Sequence, residues 1–265
     1  MSFYGSYFSF NSIPCFEYGL MLYDVESTNE GGKFSSAIDI SEDRTVFRYK
    51  PLYYGSSQNK PLTFSVIFGA DMNLVDLEKH LDRWDMDAIA TWLTGHDGYK
   101  YLEITQPDME AMRYKCMISN LEYISYGNMP WAFRCDIRCD SPFAYLYPEK
   151  ASFDVNGSLK IVFYSRASVK YFLPKIKISI VTGTDFSIKN HTDNGKITKF
   201  EKLPSVPIEI YIDNENEVIT NSKGLNIYDC FNFNFLKLLR GNNTLEFTGN
   251  GQVEFECEFP INIGG

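Results

Sequence analysis

Segments in which apolar and polar residues alternate recur along the chain, and this pattern constrains the fold more than any other feature. In 175–180 isoleucine occupies every second position, and in 253–259 three glutamates alternate with apolar residues. A period of two places the two kinds of side chain on opposite faces of an extended strand, as in a half-buried antiparallel sheet. The 21 Phe and 18 Tyr among 265 residues also favour strands over helices. The sequence therefore predicts a mainly β protein.

The second half of the chain contains such segments at regular spacing. The predicted strands are 158–164, 175–182, 206–212, 217–220, 225–229, 244–248 and 253–259. A series of short strands separated by turn residues is typical of an all-β sandwich. Residues 217–227 further predict a hairpin, because Asn221 and Gly224 tolerate the positive φ that a chain reversal requires.

The first half combines strands with the one helical region of the sequence. Strands are predicted at 62–68, 99–105, 112–126 and 131–139. Between 73 and 94, apolar residues recur at three- and four-residue spacing, which indicates one or two short helices. Asp71 and Asp85 stand where N-caps belong, and Gly95 stands where a helix ends.

Two prolines, Pro142 and Pro148, enclose an aromatic stretch between the two halves. Because proline fixes its own backbone, this segment indicates a stiff extended connection rather than a flexible linker. The sequence therefore predicts an N-terminal domain at 1–140, a proline-containing connection at 141–148 and a C-terminal domain at 149–265.

The net charge of −9 and the pI of about 4.9 argue against a protein that binds nucleic acid, because an acidic surface repels phosphates. No run approaches the roughly 18 apolar residues of a membrane span. The N-terminus also lacks the basic region and the apolar block of a secretion signal. We therefore expect synthesis and folding in a cytoplasm, without membrane association.

Side chains that bind metals or catalyse reactions lack the spacing that such sites need. Cys135 and Cys139 share one strand face with Ile137, which indicates buried core thiols rather than zinc ligands. The three histidines, at 80, 96 and 191, are expected to be solvated or capping residues rather than general bases. We predict no metal site, no cofactor and no catalytic residue, and hence a protein that is not an enzyme.

Pairs of neighbouring acidic residues could in principle perform glycoside hydrolysis. The candidates are Asp85 with Asp87 and Asp213 with Glu215. Among 34 acidic residues such neighbours arise by chance, and solvated helix starts and turns explain them better than hydrolysis does.

Aromatic residues allow two interpretations. Phe231, Phe233 and Phe235 alternate with asparagines, so they predict either a saccharide-binding surface or a strand with an aromatic core face, of which we favour the second. Trp84 and Trp92, eight residues apart in the helical region, are expected to pack in the core rather than to form a ligand platform.

Four sets of residues, in order along the chain, carry a family resemblance. They are Phe8-Ser9-Phe10-Asn11 with Gly19-Leu20, Trp92-Leu93-Thr94-Gly95 with Tyr101-Leu102, Asp140-Ser141-Pro142-Phe143-Ala144-Tyr145, and Leu238-Leu239-Arg240-Gly241-Asn242-Asn243-Thr244-Leu245 with Gly251. Together they resemble the distal tail proteins of siphophages, the ring-forming hub that joins the tail tube to the host-recognition apparatus. Residues 146–237 carry no motif of this family.

The resemblance implies an N-terminal β-barrel-like domain that forms a hexameric ring, followed by a C-terminal galectin-like or carbohydrate-module-like β-sandwich. It implies a structural virion protein at the distal end of a long non-contractile tail. The expected partners are further copies of the chain, the tail tube protein on one face of the ring, and a tail-tip or baseplate, receptor-binding protein on the other. DNA is expected to leave through the ring without specific binding, past an acidic lumen. The alternative is a carbohydrate-binding module that engages a host cell-wall saccharide.

Ring assembly also gives a role to the irregular segment 41–60. An extended arm that carries Val46, Phe47, Tyr49, Leu52 and Tyr53 is expected to add to the sheet edge of a neighbouring copy, where backbone pairing and aromatic burial supply affinity. The alternative is a hairpin that packs on its own domain, and the sequence does not separate the two.

Overall fold

The computed structural model describes residues 7–23, 39–71, 81–105 and 112–262. These residues form a mainly β protein, as the alternating pattern predicts. Two compact units are present: an N-terminal unit, Met1–Tyr145 with Asn262–Gly265, and a C-terminal unit, Leu146–Ile261.

The strands and the helix follow in chain order. They are β1 (Phe8–Phe10), β2 (Ile13–Pro14), β3 (Leu20–Tyr23), β4 (Asp39–Asp43), β5 (Leu52–Ser57), β6 (Thr63–Ala70), α1 (Arg83–Thr94), β7 (Lys100–Ile104), β8 (Met112–Tyr126), β9 (Met129–Cys139), β10 (Ala144–Leu146), β11 (Glu149–Ser165), β12 (Tyr171–Phe172), β13 (Lys175–Asn190), β14 (Lys196–Phe200), β15 (Ile208–Asp213), β16 (Val218–Asn221), β17 (Leu238–Leu239), β18 (Gly241–Cys257) and β19 (Pro260–Ile261). Two short 3-10 helices, Cys15–Tyr18 and Tyr228–Cys230, lie between strands.

The N-terminal unit is built on an antiparallel sheet with the strand order β2-β1-β7-β8-β9-β6-β3. The two end strands, β2 and β3, do not pair with each other, so within the described residues the expected barrel-like sheet is not a closed barrel. Trp92 of α1 is buried in the core of this unit. Its indole nitrogen donates to the Phe10 carbonyl at 3.1 Å, and its ring stacks 5.9 Å from Phe8.

Helix α1 occupies the second half of the predicted helical region, whose residues 73–80, including His80, lie outside the described residues. Its N-cap is Asp82, whose carboxylate accepts from the backbone of Trp84 and Asp85 at 2.8 Å. The assignment of Asp85 as an N-cap is wrong, because Asp85 stands three residues into the helix. There its carboxylate accepts from the Asp82 nitrogen and completes a capping box. Gly95 is the C-cap, as predicted.

The C-terminal unit contains a six-stranded sheet with the order β11-β18-β13-β15-β16. The sixth strand, β14, pairs with the C-terminal part of β13. The predicted strands 244–248 and 253–259 form a single strand, β18, which pairs with β11 along its whole length. The predicted strand 225–229 and the hairpin 217–227 are wrong. The amide oxygen of Asn221 accepts from Lys223 and Leu225, so the backbone after β16 is held in a turn instead of returning as a strand.

The sheet of the C-terminal unit bends over so that its two halves pack on each other. Phe163 pairs in register with Asn243, yet its ring lies 5.4 Å from that of Phe255, twelve residues farther along β18. An extended strand would separate positions so far apart by about 40 Å. Gly249 and Gly251, both at positive φ, lie at the bend, and the resulting core has the two-layered character of a sandwich.

Candidate assembly interface

Strands β4 and β5 form a hairpin that stands apart from both large sheets. We call residues 39–57 the arm. Its strands pair with each other from Asp39–Ser57 to Asp43–Leu52, and within the described residues neither strand pairs with a third. The arm is therefore a local hairpin that, among the described residues, extends neither large sheet. Whether it joins a neighbouring copy stays a prediction.

The arm exposes large apolar side chains that a folded protein ordinarily buries. Phe47 is fully exposed, and Tyr49 and Val46 are 92% and 80% exposed. Phe47 also has a φ of 75°, a backbone conformation that is costly for a bulky residue. The five predicted interface residues, which also include Leu52 and Tyr53, are thus all exposed on this one element.

Sequence reasoning missed two members of the same surface. Ile40 on β4 and Tyr54 on β5 are 62% and 67% exposed. The alternating pattern gave no signal for them, because both faces of the hairpin are open to solvent.

The tip of the arm is basic, in contrast to the chain as a whole. Residues 44–50 contain Arg44, Arg48 and Lys50 and no acidic residue, whereas the chain carries a net charge of −9. Arg44 is paired with Glu42 at 3.1 Å, and the Lys50 ammonium lies 5.6 Å from the ring centre of Tyr49.

A second hairpin, formed by β8 and β9, also ends in exposed apolar side chains. Tyr123, Tyr126 and Met129 lie near its turn, and Tyr126 is 87% exposed. We call residues 123–129 the β8–β9 tip. Trp84, on the first turn of α1, is 83% exposed. The expectation that Trp84 packs in the core is therefore wrong, whereas Trp92 is buried as predicted.

The three phenylalanines considered for saccharide binding do not share one surface. Phe231 is buried and stacks 4.9 Å from Phe200, so its ring is not available to a ligand. Phe235 is half-buried and lies edge-on to Phe231, and Phe233 alone is exposed. The alternating strand expected here is also absent. The Asn232 side chain bonds to the backbone of Ile197 and Lys199 instead, and Phe233 has a φ of 56°.

The titratable residues with catalytic potential have structural partners. His191 lies 2.6 Å from Glu246, and that hydrogen bond lowers the pKa of the Glu246 carboxyl. His96 was expected to be a solvated or capping residue, but its half-buried ring packs 5.6 Å from that of Phe10, and its Nε2 atom is buried without a hydrogen bond to the described residues. Asp213 accepts from the backbone of Glu215 and Asn216, which makes it a turn residue.

Cys135 and Cys139 are fully buried on β9, as predicted. Burial raises the pKa of each thiol to about 12, so both remain protonated and inert at neutral pH. In the ranges covered by the structure, no group of three or more His, Cys, Asp or Glu side chains is placed to hold a metal ion. Over the same ranges, no helix has both the length and the apolar character to cross a membrane.

Comparison with known families gives a match to each half of the chain. Residues 3–141 match the family model described as the phage tail protein N-terminal domain, and residues 143–257 match that of the phage tail C-terminal domain. The chain is also 21% identical over 257 residues to the SPbeta prophage-derived uncharacterized protein YomH of Bacillus subtilis strain 168. That alignment covers 96% of each protein.

Two solved structures share the fold along nearly the whole chain. The first is the Dit protein of phage SPP1, described as a paradigm of the hub adsorption apparatus in phages that infect Gram-positive hosts. It matches with a TM-score of 0.69 at 12% identity, over 96% of this chain and 98% of that one. The second is a chain of the phage P2 baseplate in its activated conformation with Ca, with a TM-score of 0.54 at 10% identity, over 97% and 99%.

Proposed function

Because the chain belongs to the phage tail protein family, whose N-terminal and C-terminal domains it matches, we propose that it is a subunit of a hexameric ring at the distal end of a long non-contractile tail. Its resemblance to siphophage distal tail proteins is confirmed by these family matches and by the fold it shares with the SPP1 Dit protein. The role is structural rather than enzymatic. In this role the chain is a component of the virion, made and assembled in the bacterial host.

The observation that carries the ring proposal is the exposed arm. Val46, Phe47 and Tyr49 are almost wholly open to solvent at the end of a two-stranded hairpin. A contiguous exposed apolar surface of this kind marks a site of protein association. An isolated hairpin is also at best marginally stable in water, so a partner that covers the arm stabilises it as well.

The charge of the arm's tip favours one kind of contact between copies. If two arms paired tip to tip, Arg48 and Lys50 of one copy would face the cations of the other, and like charges repel. The tip therefore fits a different, acidic surface on the neighbouring copy. A contact between unlike surfaces is heterologous, and heterologous contacts generate closed rings when the rotation closes.

The remaining features of the role come from the family. The ring joins the tail tube protein on one face to a tail-tip or baseplate, receptor-binding component on the other. DNA leaves through its centre without specific binding. The net charge of −9 suits such a channel, because an acidic wall repels phosphates.

A variant of the arm tests the proposal. We expect Val46→Ser, Phe47→Ser and Tyr49→Ser together to abolish the six-copy assembly of the 30.5 kDa chain, because the apolar contact that closes the ring is lost. Native mass spectrometry measures the number of copies in each species. The matched control carries Tyr123→Ser, Tyr126→Ser and Met129→Ser at the β8–β9 tip, which removes exposed apolar residues of similar size.

The control variant is expected to keep the subunit number of the unaltered protein. An arm variant that assembles as the unaltered chain does would contradict the assignment of the interface. All six substituted positions are exposed, so neither variant is expected to disturb folding, and circular dichroism checks this.

A further inference from the structure

Strand β11 is an unprotected edge of the large sheet in the C-terminal unit. It has 17 residues, and every one pairs with β18 on one side. On its other side the described residues supply no strand. The outward N–H and C=O groups of an edge strand form a template for pairing with a further strand.

The two halves of β11 differ in how this edge is protected. In the first half the exposed face carries Lys150 and Asp154, and Lys150 is paired with Glu254 at 3.2 Å. Charged side chains of this kind discourage pairing with another strand. In the second half the exposed face carries Lys160, Val162 and Tyr164, of which the last two are each 64% exposed.

The composition of the second half also favours pairing. Residues 158–165 read Ser-Leu-Lys-Ile-Val-Phe-Tyr-Ser, with one charge, no proline and an uninterrupted run of β-branched and aromatic residues at 161–164. Segments of this type associate with other strands when they lie at an open edge. The edge is therefore an interaction surface separate from the arm.

The segment is complementary to itself in one antiparallel register. With Val162 opposite Val162 of a second copy, Lys160 faces Tyr164 on the exposed side, and Ile161 faces Phe163 on the inner side. A lysine over an aromatic ring and an aromatic residue beside a β-branched one are both stabilising cross-strand pairs.

Neighbouring registers are worse. If the two-fold axis lay at Lys160, the Lys160 side chains of the two copies would face each other. If it lay at Phe163, Lys160 of one copy would face Arg166 of the other. An axis at Ile161 avoids like charges, but it would place the Lys160 ammonium opposite the apolar Val162 and Tyr164 opposite Ser158. The charges and side-chain types of the edge therefore select one pairing partner, a second copy of the same segment.

We propose that residues 160–164 of β11 pair antiparallel with the same residues of a second copy, about a two-fold axis at Val162. The contact extends the six-stranded sheet across two copies. It is isologous, unlike the proposed arm contact, so it joins two free protomers or two rings and does not close a ring.

Disulfide trapping tests the register. In a Cys230→Ser background, which removes the one native cysteine that is not buried, we introduce Val162→Cys or Lys160→Cys and add oxidised glutathione. Two thiols at position 162 lose two protons and two electrons to form one disulfide, and one oxidised glutathione is reduced to two thiols. We expect a covalent dimer of twice 30.5 kDa on a non-reducing gel for Val162→Cys.

Lys160→Cys is the matched control. In the proposed register the two copies of position 160 are offset by four residues, about 13 Å along the strands, which is beyond the reach of a disulfide. Lys160→Cys combined with Tyr164→Cys restores facing thiols and is expected to cross-link. Equal dimer yields from the two single variants, or no dimer from Val162→Cys, would overturn the proposal.

A charge variant separates this contact from the arm contact. Val162→Lys places two lysines opposite each other, so it is expected to abolish the two-fold pairing while the arm-dependent subunit number persists. The arm variant is expected to retain the Val162→Cys cross-link. Failure of one proposal is thus visible independently of the other.

Discussion

Substitution of Gly251 by alanine tests the bend that gives the C-terminal unit its two layers. Gly251 pairs with Val155 of β11 on one side and with Ile180 of β13 on the other. An alanine Cβ at this position would lie 2.1 Å from the Ser179 carbonyl oxygen and 3.0 Å from the Ile180 Cα. Both neighbours are backbone atoms of a paired strand, so they do not yield as a flexible side chain does.

The size of the effect follows from these distances. To restore ordinary contact, β13 and β18 must separate by about 1 Å where they hydrogen-bond, and overpacking of this kind costs about 1–3 kcal/mol or more. The backbone conformation of Gly251, with φ of 158°, adds a further cost of about 1–3 kcal/mol for a residue with a side chain. We therefore expect Gly251→Ala to lower the free energy of unfolding by about 3–5 kcal/mol.

Gly157→Ala is the matched control at the same bend. Gly157 lies opposite Gly249 in the β11–β18 pair and has a φ of 79°, but an added Cβ would meet nothing within 4 Å. Its cost is conformational only, about 1–2 kcal/mol. Urea denaturation followed by circular dichroism measures both variants. If Gly251→Ala is no more destabilising than Gly157→Ala, the close approach of β13 at the bend is refuted.

Three further predictions concern single side chains. Hydrogen bonds from Ser65 and Asn120 lower the pKa of the Asp136 carboxyl below its usual value of 3.8. As the pH falls, Asp136 is therefore protonated in the unfolded chain before it is protonated in the folded chain, and the stabilisation is lost below about pH 4. Urea midpoints should show Asp136→Asn less stable than the unaltered chain at neutral pH, with the difference shrinking in acid. Phe231→Ala should lower the free energy of unfolding by about 3–5 kcal/mol, as for a buried ring, and Phe233→Ala by under about 0.5 kcal/mol. An equal loss of stability in both variants would contradict the observed burial. Loss of glycan-array binding on Phe233→Ala would support the saccharide prediction. A thiol reagent should label only Cys230 in the folded protein, because the other five cysteines are buried, and rapid labelling of two or more sites would contradict this.

Local patterns predicted the fold wherever neighbouring residues decide the structure. Cys135, Ile137 and Cys139 alternate with charged residues, and β9 buries all three. Strand β8 has the predicted bounds, because turn residues stand at its end and the aromatic and β-branched residues before them favour a strand. The capping residues of α1 were half right, since Gly95 is the C-cap as predicted, whereas the N-cap is Asp82 and not Asp85.

The errors arise where a distant segment decides the structure. Gly249, Asn250 and Gly251 resemble a turn, so the sequence indicated two strands there. In the structure the same residues pair with 155–157 of β11 and form the bend of a single strand. Phe231, Phe233 and Phe235 alternate as in a strand, but the Asn232 side chain bonds to the backbone of β14 and prevents it. Neither contact is visible from sequence spacing alone.

The candidate interface could be predicted only in part, because its partner surface lies outside the local sequence. The irregular, aromatic segment 41–60 indicated the arm, because exposed aromatic residues without a strand period need a partner. The acceptor surface on a neighbour depends on contacts between copies, which no pattern within one chain determines. Residues such as Ile40 and Tyr54 were missed because a hairpin open on both faces has no buried side to signal.

The mass of the purified protein in solution, measured by multi-angle light scattering, tests the ring most directly. The proposed hexameric ring predicts a particle of six protomers of 30.5 kDa, or a multiple of six where two rings pair through β11. A single protomer at every concentration, unchanged when the arm is altered, would contradict self-association through the arm and with it the proposed ring.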